Sequence, residues 1–333
     1  MSFSNKKFVA QLTIISLLFL LGLYCGLRFG AISYSQQELL TTFLHPFKET
    51  AIQDVLLDLR LPRVLAAGLV GAAMATAGAI MQGLMRNAIA DPGLLGINAG
   101  AGLALALGYL FFKSLHYSMI LLLCLLGATI AAFLVLALSY QARIGFSPLY
   151  LLLAGAMVSA LFTALGQGLV TYFKLSPTII GWQAGGLVGV NWAMLKVIAP
   201  FILVGLMLAF ILAKQLTILS LGQTFSVALG QKTTRFMVFF LGLVLILSGA
   251  AVALVGSLFL VGLIIPHVVK QWTGPVYQKI LPLTALLGAT FMIWADLLSR
   301  FIAPPYETPL ISVVSVTCLP YFLWMIHKGE FYD

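Results

Sequence analysis

Three arginines that flank apolar stretches, Arg60, Arg63 and Arg300, are the residues of this sequence best suited to specific recognition chemistry. A guanidinium group is costly in lipid, so an arginine beside an apolar helix lies at an interface or finds a partner. Its planar fork matches a carboxylate, which it can hold through two parallel hydrogen bonds. Asp58 and Asp296 could supply that carboxylate from within the chain. Alternatively, the arginines form a basic rim that receives carboxylates of another protein.

Residues for catalysis or metal binding do not cluster in the sequence. The three cysteines, Cys25, Cys124 and Cys318, are scattered through apolar runs, and the four histidines are equally dispersed. The sequence contains neither an HExxH motif nor a phosphate-binding GxxxxGK[ST] loop. It therefore predicts no enzyme, no metal site and no cofactor bound by this chain, and any ATP must be hydrolysed by another chain.

The composition is that of a membrane protein. Of 333 residues, 62% are hydrophobic and only 8% are charged, whereas soluble domains are about 45–50% apolar and about 25% charged. The apolar runs are continuous, which disfavours a transmembrane barrel of alternating polarity. The net charge of +9 is better explained by basic residues that flank membrane spans than by a nucleic-acid partner.

Breaks in hydrophobicity predict one domain, residues 1–333, with ten transmembrane helices. Their approximate ranges are 8–30, 62–84, 94–112, 118–139, 149–171, 194–213, 236–255, 257–271, 280–299 and 309–327. The polar segment 33–61 is predicted to be exposed with a short surface helix, and Pro62 is placed in the first turn of the second span. That span is rich in Ala and Gly, which predicts packing against protein on several sides; the alternative is a helix that lines a translocation path.

The distribution of charge predicts that both ends of the chain are cytoplasmic. Lys6 and Lys7 precede the first span, and Lys and Arg are more numerous on the side that this topology places inside. The first span could be a signal peptide, but it is long for one and no cleavage site follows. This topology places Arg60, Arg63 and Arg300 at the outer face and the polar loop 214–235 in the cytoplasm.

Short motifs along nearly the whole chain resemble the FecCD family, the permease subunits of importers for iron-siderophores, haem and cobalamin. The motifs are Leu59-Arg60-Leu61-Pro62-Arg63, Gln82-Gly83, Asp91-Pro92-Gly93-Leu94-Leu95-Gly96, Leu151-Leu152-Leu153-Ala154-Gly155, Pro266-His267, Ala295-Asp296-Leu297-Leu298 and Glu307 with Pro309. The resemblance implies an all-α membrane protein of about ten transmembrane helices, the FecCD/BtuC-like permease of a type II ATP-binding-cassette (ABC) importer.

The resemblance also implies an assembly in the bacterial cytoplasmic membrane. Two permease subunits, the same or homologous chains, would surround one pathway. Two cytoplasmic ATPase subunits would bind ATP and Mg²⁺, and an extracytoplasmic binding protein would deliver the substrate. Arg60, Arg63 and Arg300 match positions where the family's permeases dock glutamates of the binding protein.

The loop 214–235 resembles the family's coupling loop, which sits in a cleft of the ATPase; otherwise it is a plain connection. Two short helices joined by turns are predicted there, with Leu219, Ser220, Leu221, Gly222, Gln223, Ala228, Leu229 and Gly230 as the coupling residues. The pair Gln223-Thr224 stands where family members often carry acidic residues, so no salt bridge to the ATPase is expected at that point.

Two turns are hypothesised to form the cytoplasmic gate. The resemblance places Asn87 and Ile89 in the first, and Ser147, Pro148 and Leu149 supply a second constriction. Capped helix ends are the alternative at both places.

The cargo favoured within the family is a ferric siderophore, with haem and cobalamin as alternatives. The family often has Pro and Gly where this chain has Ser257 and Phe259, and it often has Gly where this chain has Ile311 and Cys318. Bulkier residues at such close-packing points suggest an altered helix interface, and hence the hypothesis that this subunit pairs with a different permease subunit. An ion-coupled secondary transporter is less favoured, because no predicted span centre carries a clear ionisable residue.

Overall fold

The structure is a computed structural model that describes residues 2–30, 32–45, 50–112, 114–141, 145–146, 148–175, 179, 182, 185–303 and 306–328. Its helices are α1 Ser2–Arg28, α2 Gln36–Leu44, α3 Ala51–Met85, α4 Ile97–Phe111, α5 Tyr117–Ser139, α6 Pro148–Tyr172, α7 Trp192–Ile211, α8 Ala213–Ser220, α9 Gln223–Ala228, α10 Thr233–Val255, α11 Val261–Thr273, α12 Tyr277–Phe301 and α13 Leu310–Lys328. Two strands, β1 Tyr140–Gln141 and β2 Gly145–Phe146, pair antiparallel between α5 and α6.

Within the described residues, each of the ten predicted spans corresponds to one helix: α1, α3 to α7 and α10 to α13. Seven of these helices, α1, α3, α5, α6, α7, α10 and α12, are long and apolar enough to cross a membrane. Helices α4 and α13 are apolar but shorter. Helix α11 has 13 residues and a length of about 20 Å, which is less than the ~30 Å hydrocarbon core. The all-α polytopic fold is therefore confirmed, with spans of unequal length.

The α-helical part of the second span, Leu61–Met85, has Pro62 in its first turn as predicted, but helical structure also precedes it. Helix α3 begins at Ala51, eleven residues before Pro62, and passes through a π-helical segment, Asp54–Arg60. Proline has no N–H to donate to the carbonyl four residues earlier, so a regular α-helix would be interrupted at this point. The π turn replaces the regular pattern: the N–H of Leu61 donates to the carbonyl of Leu56. The π-helical segment thus keeps Arg60 and Arg63 on one continuous helix, α3.

Helix α3 lies at the centre of the bundle, as its small residues predicted. It packs against α7, α10, α11 and α12, and nearly every residue from Val64 to Gly83 is buried. The contacts are closest at glycine: a Cβ at position 71 would lie 2.1 Å from the carbonyl oxygen of Gly288, and one at position 78 would lie 1.8 Å from that of Gly262. Helices held by such backbone contact have no room for a side chain between them.

Two helices begin later than predicted because short irregular segments precede them. Helix α4 follows a single 3-10 turn, Pro92–Leu95, and begins at Ile97 rather than at 94. Helix α11 begins at Val261 rather than at 257, after Leu260 adopts a left-handed φ of 72°. A Cβ at Gly262 would lie 3.1 Å from the Asp91 carboxylate and from the Pro92 ring. The two irregular segments therefore meet inside the bundle, where a polar backbone is tolerated because protein surrounds it.

Candidate functional site

The three predicted arginines converge at one end of the bundle, where the C-terminal ends of α1 and α12 meet the beginning of α3. All three side chains are largely buried, with Arg60 8% and Arg300 7% exposed. We call these residues, together with Asp296 and Glu307, the arginine cluster. The topology inferred from charge places it at the outer face.

Within the described residues, Arg60 binds backbone carbonyls and no carboxylate. Its Nη1 donates to the carbonyls of Leu27 at 2.8 Å and Arg28 at 3.1 Å, and its Nη2 donates to that of Ile32. The guanidinium lies 4.6 Å from the centre of the Tyr34 ring, a cation–π contact. Arg60 thus donates to carbonyls at and just beyond the end of α1, of which that of Arg28 also accepts the N–H of Tyr34 at 3.0 Å. A positive charge at this helix end is also favoured by the helix dipole.

Arg63 binds two carboxylates at once. Its Nε and Nη2 donate to Asp296 Oδ1 at 2.9 and 2.8 Å. Its Nη1 and Nη2 donate to Glu307 Oε1 and Oε2 at 2.6 and 2.9 Å. Asp296 lies on α12 and Glu307 lies in the connection from α12 to α13, so one guanidinium ties α3 to both elements.

Arg300 completes the cluster from α12. Its Nη2 lies 3.1 Å from Asp296 Oδ2, and its Nη1 donates to the carbonyl of Gly26 at 3.1 Å. Among the described residues, the ion pairs of the cluster use Asp296 and Glu307, so the suggested role of Asp58 as a partner was wrong. Glu307 was noted in the sequence only as part of a family motif; its position in a loop gave no sign of its partner.

The predicted coupling loop contains two short helices, α8 and α9, as expected. The turn between them places Gly222 at a φ of 112°, and Gly230 ends the second helix at a φ of 76°. Ser226 is fully buried between the helices, and its hydroxyl lies 2.8 Å from the carbonyl of Ile218 and 2.7 Å from that of Gly222. These bonds make the pair a compact unit.

The unit exposes several large apolar side chains. Phe225 is 66% exposed. The other large apolar side chains that the unit exposes are Leu221, Val227 and Leu229. We call these four residues the apolar knob. The side chain of Gln223 lies outside the described part of the chain.

The coupling unit is fastened to the transmembrane helices through Thr217 on α8. The backbone N–H of Tyr277 donates to Thr217 Oγ1 at 3.0 Å, and that hydroxyl donates to Gln278 Oε1 at 2.8 Å. Tyr277 is the first residue of α12, whose N–H has no partner within its own helix. The Tyr277 ring and Leu216 also pack on Gly83 of α3. Sequence reasoning missed this junction, because its residues are some 60 positions apart.

The first predicted gate segment forms a tight turn at the C-terminal end of α3. Asn87 Oδ1 accepts a hydrogen bond from the N–H of Ile89 at 3.0 Å, and Ile89 is partly exposed. Farther on, Asp91 Oδ1 accepts from the N–H of Gly93 at 2.7 Å, and burial raises the pKa of this carboxyl to about 6. In the second segment, Pro148 and Leu149 begin α6, whereas Ser147 lies outside the described residues. The two segments remain a predicted gate.

A cavity of ≈ 260 Å³ lies between α4, α6 and the segment before α11. Polar but uncharged side chains contribute to its wall: Asn98, Ser159, Thr163, Gln167 and Ser257. Phe162, Trp182 and Phe259 supply aromatic surface. Within the described part of the chain, no three His, Cys, Asp or Glu side chains are grouped so as to hold a metal ion.

An apolar helical bundle with an uncharged cavity, a polar cluster at one end and an apolar knob at the other defines a multi-pass membrane transport protein. The model of the FecCD transport family matches residues 16–328. The chain therefore belongs to the FecCD transport family, and it is a permease of the plasma membrane.

Individual relatives cover most of the chain. It is 34% identical over 308 residues to the iron(3+)-hydroxamate import system permease protein FhuB of Bacillus subtilis (strain 168), covering 92% of this chain and 80% of the relative. It is 37% identical over 302 residues to the hemin transport system permease protein HmuU of Yersinia pestis, covering 89% of both. A solved structure, an inward-facing conformation of a putative metal-chelate type ABC transporter, is 29% identical with a TM-score of 0.83, covering 95% of this chain and 98% of that one.

Proposed function

We propose that this chain is the permease subunit of an ABC importer that carries a ferric siderophore into a bacterial cell. The observation that carries the proposal is the placement of two different surfaces at opposite ends of α12. The arginine cluster, which includes Arg300, lies near the C-terminal end of α12, and Thr217 of the coupling unit caps Tyr277 at the N-terminal end of α12. At 1.5 Å per residue, the 23 residue steps from Tyr277 to Arg300 separate them by about 35 Å, which is enough to cross a membrane.

In this proposal the arginine cluster docks an extracytoplasmic binding protein, which delivers the chelate. The apolar knob docks one of two cytoplasmic ATPases, which bind ATP and Mg²⁺. A second permease subunit, identical or homologous, completes the pathway. The gate formed by Asn87, Ile89, Ser147, Pro148 and Leu149 closes the cytoplasmic end of that pathway.

The uncharged wall of the cavity supports passage of a chelate over ion coupling. Secondary transporters place ionisable residues at the membrane midplane to bind the driving ion, whereas the described lining residues of this cavity are polar or apolar without charge. Hydroxyl and amide groups can exchange hydrogen bonds with a bulky chelate without holding it tightly.

The cargo is tested by measuring uptake in a strain from which the gene for this chain is deleted and in the same strain after the gene is restored. Radiolabelled ferric siderophores, haem and cobalamin are offered separately, with and without depletion of cellular ATP. We expect the deletion to abolish ATP-dependent uptake of a ferric siderophore alone. Loss of haem uptake would favour the second candidate, which the hemin permease relative supports. Uptake that persists after ATP depletion would contradict an ABC importer.

A further inference from the structure

The two carboxylates on Arg63 differ in their access to solvent. The side chain of Asp296 is 1% exposed, whereas that of Glu307 is 35% exposed and that of Arg63 is 12% exposed. Asp296 is also shared with Arg300. Arg63 therefore has one buried partner, Asp296, and one partner at the surface, Glu307.

The two ion pairs differ in how easily they can be replaced. Breaking a buried pair leaves an uncompensated charge in a medium of low polarity, which is strongly unfavourable. A pair that reaches the surface contributes less: when Glu307 separates, water solvates its carboxylate, and Arg63 stays compensated by Asp296. The Arg63–Glu307 pair is thus open to exchange with another carboxylate, and the Arg63–Asp296 pair is not.

Space for an incoming side chain adjoins the exposed pair. A cavity of ≈ 180 Å³ is lined by Arg63, Glu307, Thr308 and the segment from Gly185 to Val188. Glu307 belongs to the connection between α12 and α13, which is fastened by a hydrogen bond from the N–H of Thr308 to the carbonyl of Ser299 at 3.1 Å. An acidic side chain entering this cavity would meet the guanidinium edge that Glu307 now occupies.

We propose that Glu307 is a resident carboxylate that occupies Arg63 until the binding protein docks, and that an acidic side chain of the binding protein then takes its place. This inference rests on the proposed docking role of the arginine cluster. Three arginines and two carboxylates give the cluster one net positive charge; release of Glu307 gives it two, which favours an acidic partner. Displaced from Arg63, Glu307 releases the connection that leads into α13.

The exchange is tested with the permease and its ATPase in lipid nanodiscs. The probe is the soluble form of the binding protein that restores ATP-dependent uptake with this permease, and its Kd is measured at low salt. Glu307→Gln removes the competing charge, so we expect binding to be about threefold to tenfold tighter, because an exposed ion pair no longer opposes it. The matched control is Glu38→Gln on α2, which makes the same change in charge. Glutamine at that position can still serve the capping box with Ser35, so we expect an unchanged Kd.

A second variant separates the exchange from docking itself. Arg63→Gln removes the docking charge together with the guanidinium fork, and we expect weaker binding. Thermal unfolding reports whether the variant is folded; if it is not, Arg63→Lys replaces it, which keeps the charge but lacks the fork that holds two carboxylates. Weaker binding by the Arg63 variant together with unchanged or weaker binding by Glu307→Gln would overturn the exchange and leave docking intact. An unchanged Kd for a folded Arg63 variant would overturn the docking proposal and the exchange with it.

Discussion

The hydroxyl of Thr217 accepts the backbone N–H of Tyr277 at 3.0 Å and so joins the coupling unit to the first residue of α12. Thr217 therefore caps the N-terminus of α12 as an N-cap side chain would, although Thr217 belongs to a different helix, α8. At its other end, α12 carries Asp296 and Arg300 of the arginine cluster. Between these ends α12 is in backbone contact with α3. The pair of helices is therefore a continuous connection between the two proposed docking surfaces.

Removing the Thr217 hydroxyl should weaken coupling. Thr217→Val keeps the shape of the side chain but leaves the Tyr277 N–H without its partner, a loss of about 1 kcal/mol. We expect ATP-driven uptake in proteoliposomes to fall roughly fivefold while the assembled complex keeps its ATPases. Thr129→Val is the control, because the exposed Thr129 hydroxyl donates within its own helix, α5, to the carbonyl of Leu125. Equal uptake by the two variants would contradict a role for this junction.

The contact between α3 and α12 should not tolerate a methyl group. Alanine at position 71 would place its Cβ 2.1 Å from the Gly288 oxygen, so the helices must separate at a cost of about 1–3 kcal/mol or more. We expect the unfolding temperature in detergent to fall by roughly 3–10 °C. Gly242→Ala is the control, because a Cβ there meets nothing within 4 Å and alanine favours the helix. A Gly71→Ala protein as stable as this control would show that the helices are not in backbone contact.

The helical architecture was predictable because it depends on local composition. Ten apolar runs gave ten helices within the described chain, and the small residues of α3 indicated its central position. The start of α3 was not predictable in the same way. Pro62 does lie in the first turn of the α-helical part, Leu61–Met85, as predicted, but the polar segment before it was not expected to continue the same helix through a π-helical stretch.

The partners in the candidate site were harder to predict because they depend on contacts distant in sequence. Arg63 lies 233 positions from Asp296 and 244 from Glu307. Asp58 was suggested because it is close in sequence, but a residue next to Arg60 on the same helix need not face it. The guanidinium of Arg60 instead donates to backbone carbonyls near the end of α1. Because every residue has a carbonyl, the residue types give no indication of such a partner.

Arg60 and Arg63 should respond differently to substitution, although they were predicted to act together. Arg60→Met would leave the carbonyls of Leu27 and Ile32 without this donor and would remove one of two donors to that of Arg28; each buried group left unsatisfied costs about 1–3 kcal/mol. We expect this variant to lose stability in the membrane, seen as a lower unfolding temperature and less folded permease. Arg63→Gln retains a hydrogen-bond donor and leaves Asp296 paired with Arg300, so we expect it to remain folded and to lose uptake.

Fluorescence-detected size exclusion with a heating step measures folded protein, and uptake per folded permease is then compared. A stable Arg60→Met protein with a specific defect in binding-protein affinity would contradict the structural role of Arg60. Reversing both charges together would not distinguish these cases, because Arg60→Glu alone places an unpaired charge among carbonyl oxygens.

The apolar knob should bind the ATPase through hydrophobic contact and not through ion pairs. Phe225 is 66% exposed, and burying a phenylalanine side chain stabilises a complex by roughly 1.5–3 kcal/mol. Phe225→Ala should therefore weaken association of the ATPase with nanodisc-embedded permease by roughly tenfold to 100-fold. The weakened binding should depend little on salt, because charge is not involved. The matched control is Phe133→Ala on α5, whose side chain is 70% exposed on an apolar transmembrane helix. If both variants bind the ATPase as tightly as the native chain does, residues 214–235 are a plain connecting loop and the ATPase docks elsewhere.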